Sequence, residues 1–195
     1  MSKASATRLT ILQKAGQLVY RNGFQQTSID EIIATTQVTK GAFFYHFANK
    51  EEMGLAMIRE VLYPGMYEVM IKPLMNADDP VEELYLMMKH LLLKSPFMDV
   101  KYGCPAVNLI DEMAPLSKAF HKALMQLFEQ WQAAIISCLN NGKALGNIRK
   151  EVDANQAAFF VVTGYSGIRT MGKMMGTSCY NTYLKELKIY LGGLR

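Results

Sequence analysis

Apolar residues recur every three or four positions in one segment of this chain after another, and no apolar–polar alternation lasts long enough to suggest a strand. The expected fold class is all-α. A first helix is predicted over residues 5–21, with Leu9, Leu12, Ala15 and either Leu18 or Val19 turned inward, stopping at Asn22-Gly23, where glycine accepts a left-handed backbone. A second, short helix starts at Ser28, which forms a capping-box pattern with Glu31; it buries Ile29, Ile32 and Ile33 and ends near Thr36-Gln37. Thr39 caps a third helix over 40–47. Asn49, with an acid three positions on, caps a fourth that runs from Lys50 toward Leu62. Phe43 and Phe47 lie at helical spacing and fit the core better than an outer face.

Further along, Pro64-Gly65 is expected to break or kink the helix before a segment over 66–74. Asp79-Pro80 opens a helix to about residue 94, since proline suits a first turn, and Pro96 with residues 99–105 reads as a loop. A long helix over 117–139 carries Phe120, Ala123, Leu124, Leu127, Trp131, Ile135 and Cys138, with Asn141-Gly142 as its stop. Asp153 and Gln156 cap an apolar helix to about residue 175, and a last helix covers 180–191. Three short helices thus precede longer ones, which divides the chain into a small domain over 1–50 and a larger helical domain over 51–195.

A chain of 195 residues with half its composition hydrophobic can bury one substantial core, or one core with a small appended domain. The first residues hold no apolar stretch of signal-peptide length, and the longest apolar run, near 157–162, is too short to span a bilayer. A cytoplasmic location and no membrane partner are expected. Cys104, Cys138 and Cys179 are widely spaced, without a C-x-x-C pair or histidines at ligand spacing, so neither a disulfide framework nor a metal or cofactor is indicated. Charge is unevenly distributed. Up to residue 50 the basic side chains are Lys3, Arg8, Lys14, Arg21, Lys40 and Lys50, against Asp30 and Glu31 alone, so the whole net charge of +4 sits there. That asymmetry suits a polyanion, because lysines and arginines displace condensed counterions from nucleic acid.

Two short helices joined by a tight turn fit a helix-turn-helix, in which the second helix enters the major groove by its amino-terminal end. Thr39 and Lys40 can reach phosphates or base edges there, Gly41 and Ala42 permit close backbone approach, and Tyr45 and His46 follow one turn later. The run Gly23-Phe24-Gln25-Gln26-Thr27-Ser28-Ile29-Asp30-Glu31-Ile32, and then Val38-Thr39-Lys40-Gly41-Ala42-Phe43-Phe44-Tyr45-His46-Phe47-Ala48-Asn49-Lys50-Glu51-Glu52-Met53, resembles the signature of TetR-family repressors over residues 7–55. The resemblance implies that Thr27 or Ser28, Thr39, Lys40, Tyr45, His46 and Lys50 contact phosphates of double-stranded operator DNA. It places Lys40, Ala42, Phe44 and Tyr45 nearest the bases. Gln37 stands where the family usually has glycine, Phe44 where tyrosine is usual, and Ala42 where a hydroxyl residue is common, so Tyr45 is expected to take over one phosphate contact. Lys50 reads either as a phosphate contact or as a solvated helix start; an amine opposing the helix dipole favours a nearby anion.

Beyond residue 55 the resemblance is architectural. It implies a homodimer formed through the helices over 117–139 and 153–175, and a pocket for a small-molecule effector between about residues 62 and 165. Gly164, Ser166 and Gly167 are small enough to let helices approach. Met57, Met66, Met70, Met75, Met87, Met88 and Met98 suit an adaptable apolar pocket or an ordinary core, and Met66, Met88, Cys104, Asn108 and Tyr165 are the candidate pocket residues. Gly103-Cys104-Pro105-Ala106-Val107-Asn108 resembles a segment of regulators that answer electrophiles or oxidants. Cys104 reads as an inert buried thiol or as a sensor activated by Lys101. An enzyme is the rival class, but His46, His90 and His121 are scattered, no H-E-x-x-H or G-x-S-x-G occurs, and Asp111-Glu112 reads as a solvated helix face. An architectural DNA-binding protein without an inducer is the other alternative.

Overall fold

The computed structural model describes residues 2–95 and 98–195, and every regular element among them is helical. The helices are α1 Lys3–Asn22, α2 Ile29–Ala34, α3 Lys40–His46, α4 Lys50–Met57, α5 Tyr63–Met66, α6 Pro80–Leu93, α7 Pro105–Met113, α8 Lys118–Leu145, α9 Ala154–Met175 and α10 Ser178–Gly192. The chain forms two compact units, Met1–Gly65 with Pro105–Met125, and Met66–Cys104 with Gln126–Arg195. No helix among the described residues is long and apolar enough to cross a membrane.

In the first unit, α1 buries Ile11, Leu12, Ala15 and Val19, and it packs against α2, α3 and α4. Leu9 and Leu18 are only half-buried, so the inward stripe is centred on Ile11 and Leu12. Gly23 ends α1 with φ of 89°, as the Asn22-Gly23 signal predicts. Both halves of the capping box at Ser28 are formed: its Oγ accepts from the Glu31 amide at 3.1 Å, and Glu31 accepts from the Ser28 amide at 2.7 Å. Those bonds hold the Glu31 carboxyl below its ordinary pKa, the Ser28 amide contributing most. Helix α2 stops at Ala34, earlier than expected, and the Thr35 and Thr36 hydroxyls donate to the Ile32 and Ile33 carbonyls at 2.8 and 2.9 Å. Such side-chain bonds compete with helix continuation. On α4, Gly54 is buried because a Cβ there would lie 2.5 Å from the Phe24 ring and 2.6 Å from the Phe120 ring. Those rings meet edge to face at 4.8 Å.

Two helix boundaries correct the sequence reading. Of the break or kink expected at Pro64-Gly65, the break does not occur; α5 is a single turn between two wider π turns, Ile58–Leu62 and Tyr67–Ile71. Pro64 has no amide to donate, while the Tyr63 amide reaches back to the Ile58 carbonyl, so the widened turn accommodates the missing bond. The second correction is Asn141-Gly142, which α8 passes straight through to Leu145. Gly142 is there for close packing: a Cβ would sit 2.7 Å from Pro80 and 2.8 Å from Ile148. The chain turns instead at Gly146, with φ of 79°. Pro96 lies outside the described residues. Helix α7 had no strong signal, because it is short and follows the loop directly.

The second unit is built from α6, the larger part of α8, α9 and α10. Asp79 caps α6 through the Val81 and Glu82 amides, and Asp153 caps α9 through those of Asn155 and Gln156. Bonding to Arg195 first, and to those amides, holds the Asp79 carboxyl below its usual pKa. Trp131, Ile135, Cys138 and Leu139 of α8 face inward with Val161, Val162 and Tyr165 of α9 and Tyr180, Leu184 and Leu187 of α10. Gly164 lets α10 of the same chain approach, since a Cβ there would lie 2.5 Å from the Tyr183 hydroxyl. A Cβ on Gly167 would meet nothing within 4 Å.

Candidate nucleic-acid interface

Helix α3 is sorted into two faces by its sequence. Phe43 is fully buried, with its ring 5.5 Å from that of Phe47, itself 1% exposed, so both phenylalanines are core as their spacing predicts. The opposite face presents Thr39, Lys40, Gly41, Phe44 and Tyr45, the last two at 46% and 79% exposure. Thr39 starts the helix, its hydroxyl accepting from the Ala42 amide at 3.2 Å. Nothing lies within 4 Å of a Cβ built on Gly41, so the first turn is bare backbone that another molecule can approach. Ala42 and His46 are half-buried, and the His46 ring meets Tyr45 at 5.0 Å.

Lys40 reaches Asp30 at 2.9 Å in an ion pair exposed on both sides. Such a pair is worth little in water, so the amine exchanges partners easily. The rear of α3 is held by Arg8, which donates to the His46 carbonyl at 2.9 Å and to both Glu60 oxygens at 2.7 and 3.1 Å, with its guanidinium 4.4 Å from the Phe47 ring centroid. The bond from Arg8 holds the Glu60 carboxyl below its ordinary pKa. In the sequence Arg8 stands out only as part of the basic excess.

Three residues assigned to phosphate contact make other contacts in the structure. Thr27 is 1% exposed, and its hydroxyl donates to the Gly23 carbonyl at 2.7 Å, so its side chain presents nothing to DNA. Ser28 is exposed, but its hydroxyl is the α2 cap described above. The Lys50 ammonium donates to the carbonyls of Phe24, Gln25 and Thr27 at 3.0, 3.1 and 3.1 Å, which uses its three donors. Glu112 of α7 takes the same loop from its amide side, accepting from Phe24 and Gln25 at 2.7 Å each. One cation and one carboxylate thus clamp the link between α1 and α2. Asp111-Glu112 reads in the sequence as a solvated helix face, but Glu112 is bonded to partners 88 and 87 positions away, beyond any local signal. Changing Lys50 to alanine should therefore destabilise the first unit by about 2–3 kcal/mol in denaturant melts, as charged hydrogen bonds are lost. The salt dependence of DNA binding should stay unchanged; a slope lower by about one phosphate would restore the DNA contact.

Of the candidate pocket residues, Tyr165 and Cys104 are buried in the second unit, at 1% and 4% exposure, and they interact with each other. Burial, followed by Cys104, pushes the Tyr165 phenol well above its usual pKa. Met88 is fully buried core, Met66 is half-buried, and Asn108 is a half-buried residue of α7 in the first unit. Lys101 is exposed, with its amine 5.3 Å from the Tyr102 ring, whereas the buried Arg169, which the sequence reading did not single out, has Cys104 among the groups acting on its charge. Among the described residues no group of His, Cys, Asp and Glu could hold a metal ion.

Comparison with known proteins agrees with this arrangement. Residues 11–57 match the family described as bacterial regulatory proteins, tetR family, and residues 80–184 match the tetracyclin repressor-like C-terminal domain. The chain is 32% identical over 134 residues to an HTH-type transcriptional regulator in the lacX 3′ region of Lactococcus lactis, covering 69% of this chain and 68% of that protein. It is 26% identical over 161 residues to the HTH-type transcriptional repressor DhaR of Mycobacterium sp. GP1, covering 82% and 79%. A TetR-family regulator from Cytophaga hutchinsonii shares the fold at a TM-score of 0.89 with 18% identity, over 100% of this chain and 98% of that one. Reduced Escherichia coli NemR shares it at 0.82 with 21% identity, over 96% of each. With the bare face of α3 inside the segment that matches the family's amino-terminal domain, and residues 80–184 matching its carboxyl-terminal domain, the chain belongs to the TetR family of DNA-binding transcriptional regulators.

Proposed function

We propose that this regulator is a repressor that binds operator DNA as a two-fold symmetric homodimer and leaves it when a small molecule occupies the helical domain. The observation that carries the reading is the outward face of α3, where Lys40, Gly41, Phe44 and Tyr45 stand open while Phe43 and Phe47 anchor the helix from behind. Thr39 and His46 flank that face for phosphate contact, and Ala42 lies within its first turn. The functional division falls near residue 50, with the DNA contacts before it and effector binding and dimerisation after it. DNA selected by the protein from a random-sequence pool should contain two inverted half-sites about 34–36 Å apart, or a multiple of that spacing. Changing Lys40 or Tyr45 to alanine should cost about 1–3 kcal/mol on the selected site and relax preference at one position per half-site. Equal losses on selected and scrambled DNA would remove the base-reading role.

Dimerisation is supported by α9 and α10. Phe159, Phe160, Met171, Met174 and Met175 of α9 are exposed, as is Ile189 of α10, and a depression of about 490 Å³ is lined by Gln132, Phe159, Phe160 and Thr163. Apolar area of this kind on one face marks an association surface. A ligand that prefers a spacing of the two heads mismatched to the half-sites lowers DNA affinity by its differential affinity for the two states. Oxidant sensing through Cys104 is the lesser reading, because that thiol is 4% exposed and reactive thiols need access.

A further inference from the structure

Arg169, in the middle of α9, is wholly buried, and among the described residues no carboxylate forms an ion pair with it. Its Nη1 donates to the Tyr180 hydroxyl at 3.2 Å, whereas Nε and Nη2 have no hydrogen-bond partner. The groups acting on its charge are Tyr165, Tyr180 and Cys104, two phenols and a thiol. A second orphan lies close by. Trp131 Nε1, on a side chain 2% exposed, also has no acceptor. The Trp131 ring meets Tyr165 edge to face at 5.2 Å, and the Arg169 guanidinium lies 5.9 Å from the centroid of that same phenol. Two side chains with unsatisfied donors therefore lie near the same aromatic ring.

Neither can help the other, because guanidinium and indole N–H groups only donate. Leaving a cation unpaired in an interior costs several kcal/mol, and each orphaned N–H adds the cost of its lost water. The open positions on Arg169 are also a matched pair. Nε–H and Nη2–H point the same way along one edge of the guanidinium plane, spaced for the two oxygens of a carboxylate in side-on, bidentate contact. What this interior lacks is an acceptor carrying negative charge and a flat, two-oxygen face.

We propose that the Nε–Nη2 edge of Arg169 is the receptor for the carboxylate of a small organic acid whose apolar body packs against Tyr165 and Trp131. This deepens the reading that the helical domain takes an effector, and rests on it. The carboxylate supplies the missing counter-charge, and the Trp131 indole N–H serves an outer oxygen or a second polar atom of the ligand. Discrimination follows from the same chemistry: an amide of equal shape brings no charge and sets one of its own donors against Arg169, so it is rejected. Because the residues around the guanidinium are themselves buried, the acid is compact.

Trp131 is the only tryptophan of the chain, so its emission reports on this place directly. Full-length protein titrated with millimolar acetate, propionate and benzoate, and with acetamide, propionamide and benzamide, should change its Trp131 emission and gain melting temperature with at least one of the acids and with none of the amides. Arg169→Met should abolish the response while keeping or raising the ligand-free melting temperature, since an unpaired charge has been removed. Arg169→Lys keeps the charge without the fork and should weaken binding by roughly tenfold or more. The proposal is overturned if none of the three acids binds, if an amide binds as well as its acid, or if Arg169→Met binds like the parent. Release of selected DNA is measured in the same titration. An acid that binds through Arg169 without releasing DNA upholds the receptor and refutes effector control; no binding by any acid, with DNA affinity intact, overturns the receptor alone.

Discussion

Replacing Phe43 with alanine should lower the stability of the first unit by about 3–5 kcal/mol, the range for removing a fully buried aromatic ring. Phe43 has no exposed surface, and its ring lies 5.4 Å from Phe44 and 5.5 Å from Phe47, so the loss leaves a cavity behind the reading helix. Stability near the lower end of what a domain holds would then be largely spent, and DNA binding should disappear with it. Hydrogen exchange should show lost protection across α1, α2 and α3, with protection in α9 and α10 retained because those helices belong to the other unit. Phe44→Ala is the control. That ring is 46% exposed, so stability should change by no more than about 1 kcal/mol while DNA affinity falls. Equal destabilisation by the two substitutions would mean that the faces of α3 have been misassigned.

The contrast between these adjacent phenylalanines was legible in the sequence because it depends on helical period alone. The same holds for the caps at Ser28, Thr39 and Asn49, whose side-chain oxygens accept from amides three residues on and are found bonded in place. Local chemistry of that kind is written in consecutive residues. The clamp on the loop after α1 is not. Glu112 meets Phe24 across 88 positions, Lys50 meets it across 26, and α7, which carries the acid, had no cap pattern to announce it. Gly142 shows the reverse case: its local signal said stop, but tertiary packing against Pro80 and Ile148 required a residue without a side chain inside a helix. Arg169 is the furthest from reach. An arginine at one position of an apolar helix reads as solvated, and only the folded interior shows that its Nε and Nη2 are buried without acceptors.

Placing aspartate at Gly167 should convert the protein to a monomer without unfolding it. The residue sits on an exposed stripe of α9 with Phe160, Thr163, Met171 and Met174, spaced three or four positions apart as neighbours on one helical face. A Cβ there meets nothing within 4 Å of the same chain, so the fold of the subunit tolerates the change. In an isologous interface the substitution occurs on both partners, so two like charges would be buried at once. An uncompensated buried charge costs about 3–5 kcal/mol, which weakens association by a factor on the order of hundreds or more. Sedimentation at micromolar concentration should show the parent as a dimer and Gly167→Asp as a monomer with an unchanged helical circular dichroism spectrum. DNA binding should fall steeply with it, since a single α3 reads one half-site and loses the gain from the linked second one. If the variant stays dimeric, α9 is not the interface; if the variant is monomeric yet binds the selected site as tightly as the parent, two-fold reading of DNA is wrong.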